Sequence, residues 1–260
     1  MEVGSKFADV NNTKLHYVEY GEQAARKQKP VLLCLHGATS QAHSFDTFAS
    51  DDRLLKMFRV IALDLRGHGQ SAWADSYLPN DYDSDINAFL NHLDVETVAI
   101  LGMSLGGMIA ISYAGKFPAK VKSLVIGDFG PGINLAVLQR QISAPPSPET
   151  FESLDAAVEF MSKGIAPPKV ENGILRADMA LRVKKITQED GKEVYTWLSD
   201  RAIFQGYPAF IQEEPWRWKV FGKLDDSNEI RIVDGKPDPG AYIMIVHTNG
   251  IVSFVKATGE

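Results

Sequence analysis

The chain has 260 residues, 45% of them apolar, and a formal charge of −6. That length suffices for one large core or a core with a lid, and the acidity argues against nucleic acid or an anionic membrane as the main partner. A single cysteine, Cys34, excludes an internal disulfide and fits a reducing compartment. The start, MEVGSKFADV, has no apolar signal region, and no stretch of about 18 consecutive apolar residues occurs, so the expectation is a soluble, cytoplasmic protein. Residues 6–20 predict a hairpin, KFADV and KLHYVEY, joined at Asn11-Asn12, where Asn tolerates left-handed backbone. PVLLCLHG follows as a buried parallel strand, and Cys34 within it reads as an inert core thiol. Residues 41–57 space Phe45, Phe48, Leu54 and Leu55 as a helix would. FRVIALD is the next strand and ends in the loop LRGHGQS. Residues 82–93 predict an amphipathic helix with Ile86, Phe89, Leu90 and Leu93 on one stripe, capped by Asp81 or Asp83.

The stretch 98–117, VAILGMSLGGMIAISYAGKF, carries the chemistry. An apolar strand runs into Gly102-Met103-Ser104-Leu105-Gly106, and a helical run follows until Pro118. This G-x-S-x-G pattern, between a strand and a helix, is that of a nucleophile elbow, with the serine hydroxyl raised above a parallel sheet. VKSLVIGDFG gives one more strand. Strand and helix alternate from 30 to 127, the signature of a doubly wound α/β sheet. From Pro131 the alternation stops. Helical runs at 150–163 and 173–186 and an aromatic stretch predict a helical cap over the sheet, because an insertion of about 90 residues is too long for a loop. The expected organisation is a core over 1–130, a cap over 131–220 and a β-rich end of the core over 221–260. Trp197, Phe204, Trp216 and Trp218, with Met103 beside the serine, are candidates for a hydrophobic substrate pocket; the aromatics also read as the cap's own core.

Several motifs in the same order resemble the α/β-hydrolase superfamily. Leu35-His36-Gly37-Ala38 looks like the family's "HG" segment, and Asp64-Leu65-Arg66-Gly67-His68-Gly69-Gln70-Ser71 looks like its D-x-R-G-x-G-x-S loop. The elbow GMSLGG and Gly127-Asp128-Phe129-Gly130-Pro131 complete the likeness, which is nearest to capped esterases, lactonases and carbon–carbon bond hydrolases. The resemblance implies an α/β fold with a mostly parallel, doubly wound sheet and a cap inserted after the sixth strand. It implies Ser104 as nucleophile, and backbone N–H groups of Ala38 and Leu105 as the oxyanion hole. In such proteins an acid and then a histidine follow the serine; of the six histidines only His247 does, which makes it the expected base. For the acid, Asp238 in VDGKPDP resembles the family's "hGxxD" turn, and Asp128 ends the sixth strand. Only eight residues separate Asp238 from His247, whereas a crossover between parallel strands needs about 10–12. The run 229–247 therefore predicts a hairpin with Asp238 in its turn and His247 a strand length away. Asp128 is the favoured acid and Asp238 the alternative. His36 and His68 read as loop-holding residues. After about residue 220 the sequence departs from the family, and TNGIVSFVKATGE predicts a strand instead of a closing helix.

The expected activity is hydrolysis of a small hydrophobic carboxylic ester or lactone through an acyl-enzyme. Cleavage of a carbon–carbon bond beside a ketone, or binding of a small ligand without turnover, are the alternatives. With no H-x-x-x-H or C-x-x-C pair, no metal and no redox cofactor is expected.

Overall fold

Two asparagines turn the chain back on itself at the start. Strands β1 (Val3–Val10) and β2 (Thr13–Tyr20) meet at Asn11 and Asn12, with φ of 49° and 57°, the left-handed pair that a two-residue hairpin needs. This computed structural model describes residues 3–21, 29–127, 147–164, 172–225, 242–247 and 252–256.

Strands β3 (Val31–Leu35), β4 (Arg59–Leu63), β5 (Val98–Met103) and β6 (Val121–Gly127) form the parallel centre of the sheet. Their near-continuous Val/Ile/Leu runs suit strands covered on both faces. On one face, helices α3 (Pro79–His92) and α4 (Leu105–Lys116) pack Ile86, Phe89 and Ile109 against Leu33 and Ile61. On the other, Phe45 and Ala49 pack against Leu32 and Cys34. Each such fully buried aliphatic or aromatic side chain contributes about 1.5–3 kcal/mol. The 41–57 segment is not one helix. It breaks into a 3-10 turn (Ala42–Phe45), α1 (Asp46–Ala49) and α2 (Asp52–Met57). Helix α3 starts earlier than residue 82, because Pro79 occupies its first turn and the Asp81 carboxylate accepts the Leu78 N–H at 2.8 Å. Asp83 caps nothing. It is buried, and accepts from Ser112 Oγ at 2.8 Å and Lys116 Nζ at 2.6 Å.

A second group of elements follows: β7 (Thr150–Phe151), α5 (Leu154–Gly164), α6 (Asn172–Arg182), β8 (Val183–Thr187) and β9 (Glu193–Trp197). It has its own core of Phe151, Ala157, Met161, Met179 and Trp197. A wholly helical insertion is thereby corrected, since β7, β9 and β8 make a three-stranded antiparallel sheet. The helix predicted to run to 186 ends at Arg182, where Val183–Thr187 takes up pairing with β9. Helices α7 (Tyr207–Gln212) and α8 (Glu214–Asp225) come next. Trp216 of α8 lies against Gly115 near the end of α4.

Strands β10 (Tyr242–His247) and β11 (Val252–Lys256) form an antiparallel hairpin, and β10 pairs antiparallel with β6. The strand expected after His247 is thus present, while the residues predicted to pair with 242–247 across a turn at Asp238 lie outside the described ones. Among the described residues the sheet has eight strands in the order β1-β2-β4-β3-β5-β6-β10-β11, parallel at its centre and antiparallel on both flanks. No helix among the described residues is long and apolar enough to cross a membrane.

Candidate active site

Ser104 sits between β5 and α4 with φ 50° and ψ −112°, a backbone conformation that non-glycine residues rarely hold without surrounding support. The support is visible. A Cβ at Gly102 would lie 2.4 Å from Gly106 O, and one at Gly106 would lie 2.2 Å from Leu35 O, so only glycine lets strand, turn and helix approach this closely. Ser104 N–H donates to Gly127 O at 3.0 Å, tying the apex to the end of β6. Gly107 and Met108 N–H groups donate to Ser104 O, and Gly106 N–H donates to His36 O at 3.1 Å. The N–H of Leu105, first in the helix, has no carbonyl one turn back to bond.

The segment after β3 faces this turn. A Cβ on Gly37 would lie 3.3 Å from Ser104 Cβ. Gly37 O accepts from the His36 ring at Nδ1 (2.8 Å) and from Ser40 N–H (3.2 Å). In a trans peptide the N–H points opposite to the C=O, so holding Gly37 O fixes the direction of the Ala38 N–H. His36 Nε2 accepts from Leu65 N–H at 3.1 Å, which leaves the ring neutral with its proton on Nδ1. Burial moves its pKa in the same direction, downward. His68 packs edge-on against it, centroids 4.9 Å apart, donates from Nδ1 to Arg66 O, and is pushed down to about 3 by burial. Neither imidazole bonds to Ser104.

Below these loops, fully buried Asp64 accepts from Ala42 N–H (2.6 Å), Gln70 N–H (2.8 Å) and His16 Nδ1 (2.7 Å). Burial tends to raise its pKa, but the His16 bond and the backbone donors outweigh that and hold it below the usual aspartate value. Cys34 is fully buried, and desolvation drives its thiol pKa up, so it is inert.

An α/β-hydrolase fold family model matches residues 30–155. The solved structure of E-2-(acetamidomethylene)succinate hydrolase superposes with a TM-score of 0.69 at 25% identity, over 84% of this chain and 77% of that one. The chain has the α/β-hydrolase fold. Among curated relatives, 3-hydroxybutyrate-oligomer hydrolase of Cupriavidus necator is 34% identical over 56% of this chain and 50% of its own length. 2-(Acetamidomethylene)succinate hydrolase of Mesorhizobium japonicum is 31% identical over 61% of this chain and 55% of its own. The chain thus spans about half the length of the curated relatives it matches.

Within this α/β-hydrolase fold, Ser104, Met103, Leu105 and the Ala38 loop come together. Met103 Sδ covers Gly127, where an added Cβ would lie 2.2 Å away. His247 does not join them. β10 runs antiparallel to β6 and pairs His247 with Ser123, which in turn stands beside Ala99 of β5. Ala99 is five positions before Ser104, a rise of about 16 Å at ~3.3 Å per residue. The backbone of His247 therefore pairs at the opposite end of the sheet from Ser104. Among the described residues no histidine hydrogen-bonds Ser104: His16, His36, His43 and His68 have the partners Asp64, Gly37 and Leu65, Asp46, and Arg66. Asp128 and Asp238 lie outside the described residues. The aromatic candidates are dispersed. Trp197 is in the second core, stacked edge-on with Phe151 and donating to Pro148 O at 2.9 Å. Trp216 rests on the far end of α4, under Lys116 Nζ at 5.6 Å, whereas Phe204 and Trp218 are exposed. Thr39 and Arg182 meet beside Ala38 at 2.7 Å, an approach that no motif in the sequence marks.

Proposed function

We propose that this protein acts on a small hydrophobic carboxylic ester or lactone with Ser104 as nucleophile. The observation that carries the reading is the strained apex of Ser104 with Gly37 packed against it and the Leu105 N–H left over. Ser104 Oγ attacks the carbonyl carbon, the electron pair moves to the carbonyl oxygen, and the N–H groups of Leu105 and Ala38 hold that oxyanion. Donors of this kind are worth about 3–4 kcal/mol each in the transition state. Collapse expels the alcohol, and water hydrolyses the acyl-enzyme. A general base takes the serine proton and returns it to the leaving alcohol oxygen. Asp128 is retained as the acid because it follows Gly127, whose carbonyl accepts the Ser104 N–H. The hydrolase names of the curated relatives agree with the reaction class. Residues 131–220 would act as a cap, and a cytoplasmic location is part of the same proposal.

The position of His247 favours a second reading, ligand binding without turnover. One experiment separates the two. A fluorophosphonate should label Ser104, Ser104→Ala should abolish labelling, and a p-nitrophenyl ester should be turned over many times. A single stoichiometric burst favours the second reading, and no labelling of folded protein overturns the first.

A further inference from the structure

Resting on the reading of Ser104 and Ala38 as a reacting pair, we propose that Arg182 is a positioning residue that clasps the oxyanion loop from the second group of elements. Arg182 is the last residue of α6. Its Nη1 donates to Thr39 Oγ1 at 2.7 Å and reaches Ala38 O at 3.4 Å. Its Nε donates to Asp178 Oδ2, one turn back, at 2.7 Å, which fixes the plane of the guanidinium. The backbone carbonyl of Arg182 accepts from Leu198 N–H at 2.8 Å, so the arginine is anchored at both ends. A second bond runs the other way between the same segments: Gln41 Nε2 donates to Leu181 O at 2.5 Å.

What is clasped needs clasping. Thr39 has φ 59°, and a β-branched side chain in the left-handed region is costly. That conformation aims the chain so that Ser40 N–H reaches back to Gly37 O at 3.2 Å, the bond that helps orient the Ala38 N–H. Arg182 thus acts on the oxyanion donor through the two peptide units that flank it. An arginine does this where a lysine does so incompletely, because one planar fork spans Asp178, Thr39 and Ala38 at once. The clasp also makes α6 the element through which movement of the second group of elements would be felt at the oxyanion hole.

The test compares Arg182→Met, which keeps the stem and loses the fork, with Thr39→Val, which keeps the shape and loses the acceptor hydroxyl. Each should slow fluorophosphonate labelling of Ser104 roughly 10- to 100-fold, the usual consequence of a displaced donor. The double variant should be no slower than the slower single variant, and Arg182→Lys should recover part of the rate. Amide exchange over 37–41 should speed up in both single variants while circular dichroism remains that of the folded chain. Labelling within twofold of the native rate overturns the positioning role, whatever exchange does. If the native chain itself is not labelled, the Ser104 reading fails, and exchange alone decides the clasp: unchanged protection of 37–41 overturns it, and faster exchange supports it.

Discussion

The two flanks of the sheet obey one rule and reach opposite results. Each adds an antiparallel strand to the parallel centre: β2 beside β4, and β10 beside β6. In an antiparallel partner the residues at the start of the strand lie at the end of its neighbour. His16, near the start of β2, therefore stands at the end of β4, where it meets Asp64 at 2.7 Å below the loops around Ser104. His247, the last residue of β10, stands beside the beginning of β6. A histidine serves this end of the sheet only if it enters an antiparallel flank or leaves a parallel strand.

The N-terminal half of that comparison carries the largest expected effect. Asp64→Ala strands His16 and frees the N–H groups of Ala42 and Gln70. Removing one partner of a buried, hydrogen-bonded charge costs about 3–5 kcal/mol, to be read from the urea unfolding midpoint. A loss below 1 kcal/mol would separate β2 from the loops. The C-terminal half is tested by a cross-link. Residues 123 and 247 face each other in the β6–β10 register, and directly opposed Cα atoms lie about 4.5–5.5 Å apart, within disulfide reach. Because Cys34 is buried, a Ser123→Cys, His247→Cys double variant should oxidise to that one bridge and gain about 2–4 kcal/mol. Failure to oxidise in the folded chain would break the register. A smaller effect follows from pH. Asp64 has its folded pKa depressed below 3.8, so its contribution is complete above that value and is lost as pH falls through the folded pKa. Asp64→Asn should therefore flatten the drop in unfolding midpoint between pH 5 and pH 2, and an unchanged slope would assign the acid sensitivity elsewhere.

The fold and the strand–turn–helix around Ser104 were legible wherever the signal was local. Asn11-Asn12 announced a left-handed turn, and the glycines at 102 and 106 announced a close approach that the added-Cβ distances of 2.4 and 2.2 Å bear out. The boundary at Arg182 was not legible, because RVKKIT is acceptable to a helix until β9 offers it a partner. Thr39 and Arg182 lie 143 positions apart, and nothing in either segment declares their contact. The direction of β10 was hidden for the same reason. Elimination by chain order selects a histidine, but only pairing with β6 says which end of the sheet it reaches.

The smallest expected effect is the sharpest on function. With His247 across from Ser123, about 16 Å of strand below the level of Ser104 at ~3.3 Å per residue, no proton can pass between them directly. A general base within reach of its nucleophile contributes typically about 10²- to 10⁴-fold. His247→Ala should thus leave the rate of fluorophosphonate labelling at Ser104 within about twofold of native, where loss of a working base would slow it by at least the lower of those factors. His16→Ala is the matching control on the other flank: it disturbs the Asp64 network and should slow labelling by loosening the loops. A collapse of labelling in His247→Ala, with His16→Ala unaffected, would reverse the comparison and require β10 to run the other way.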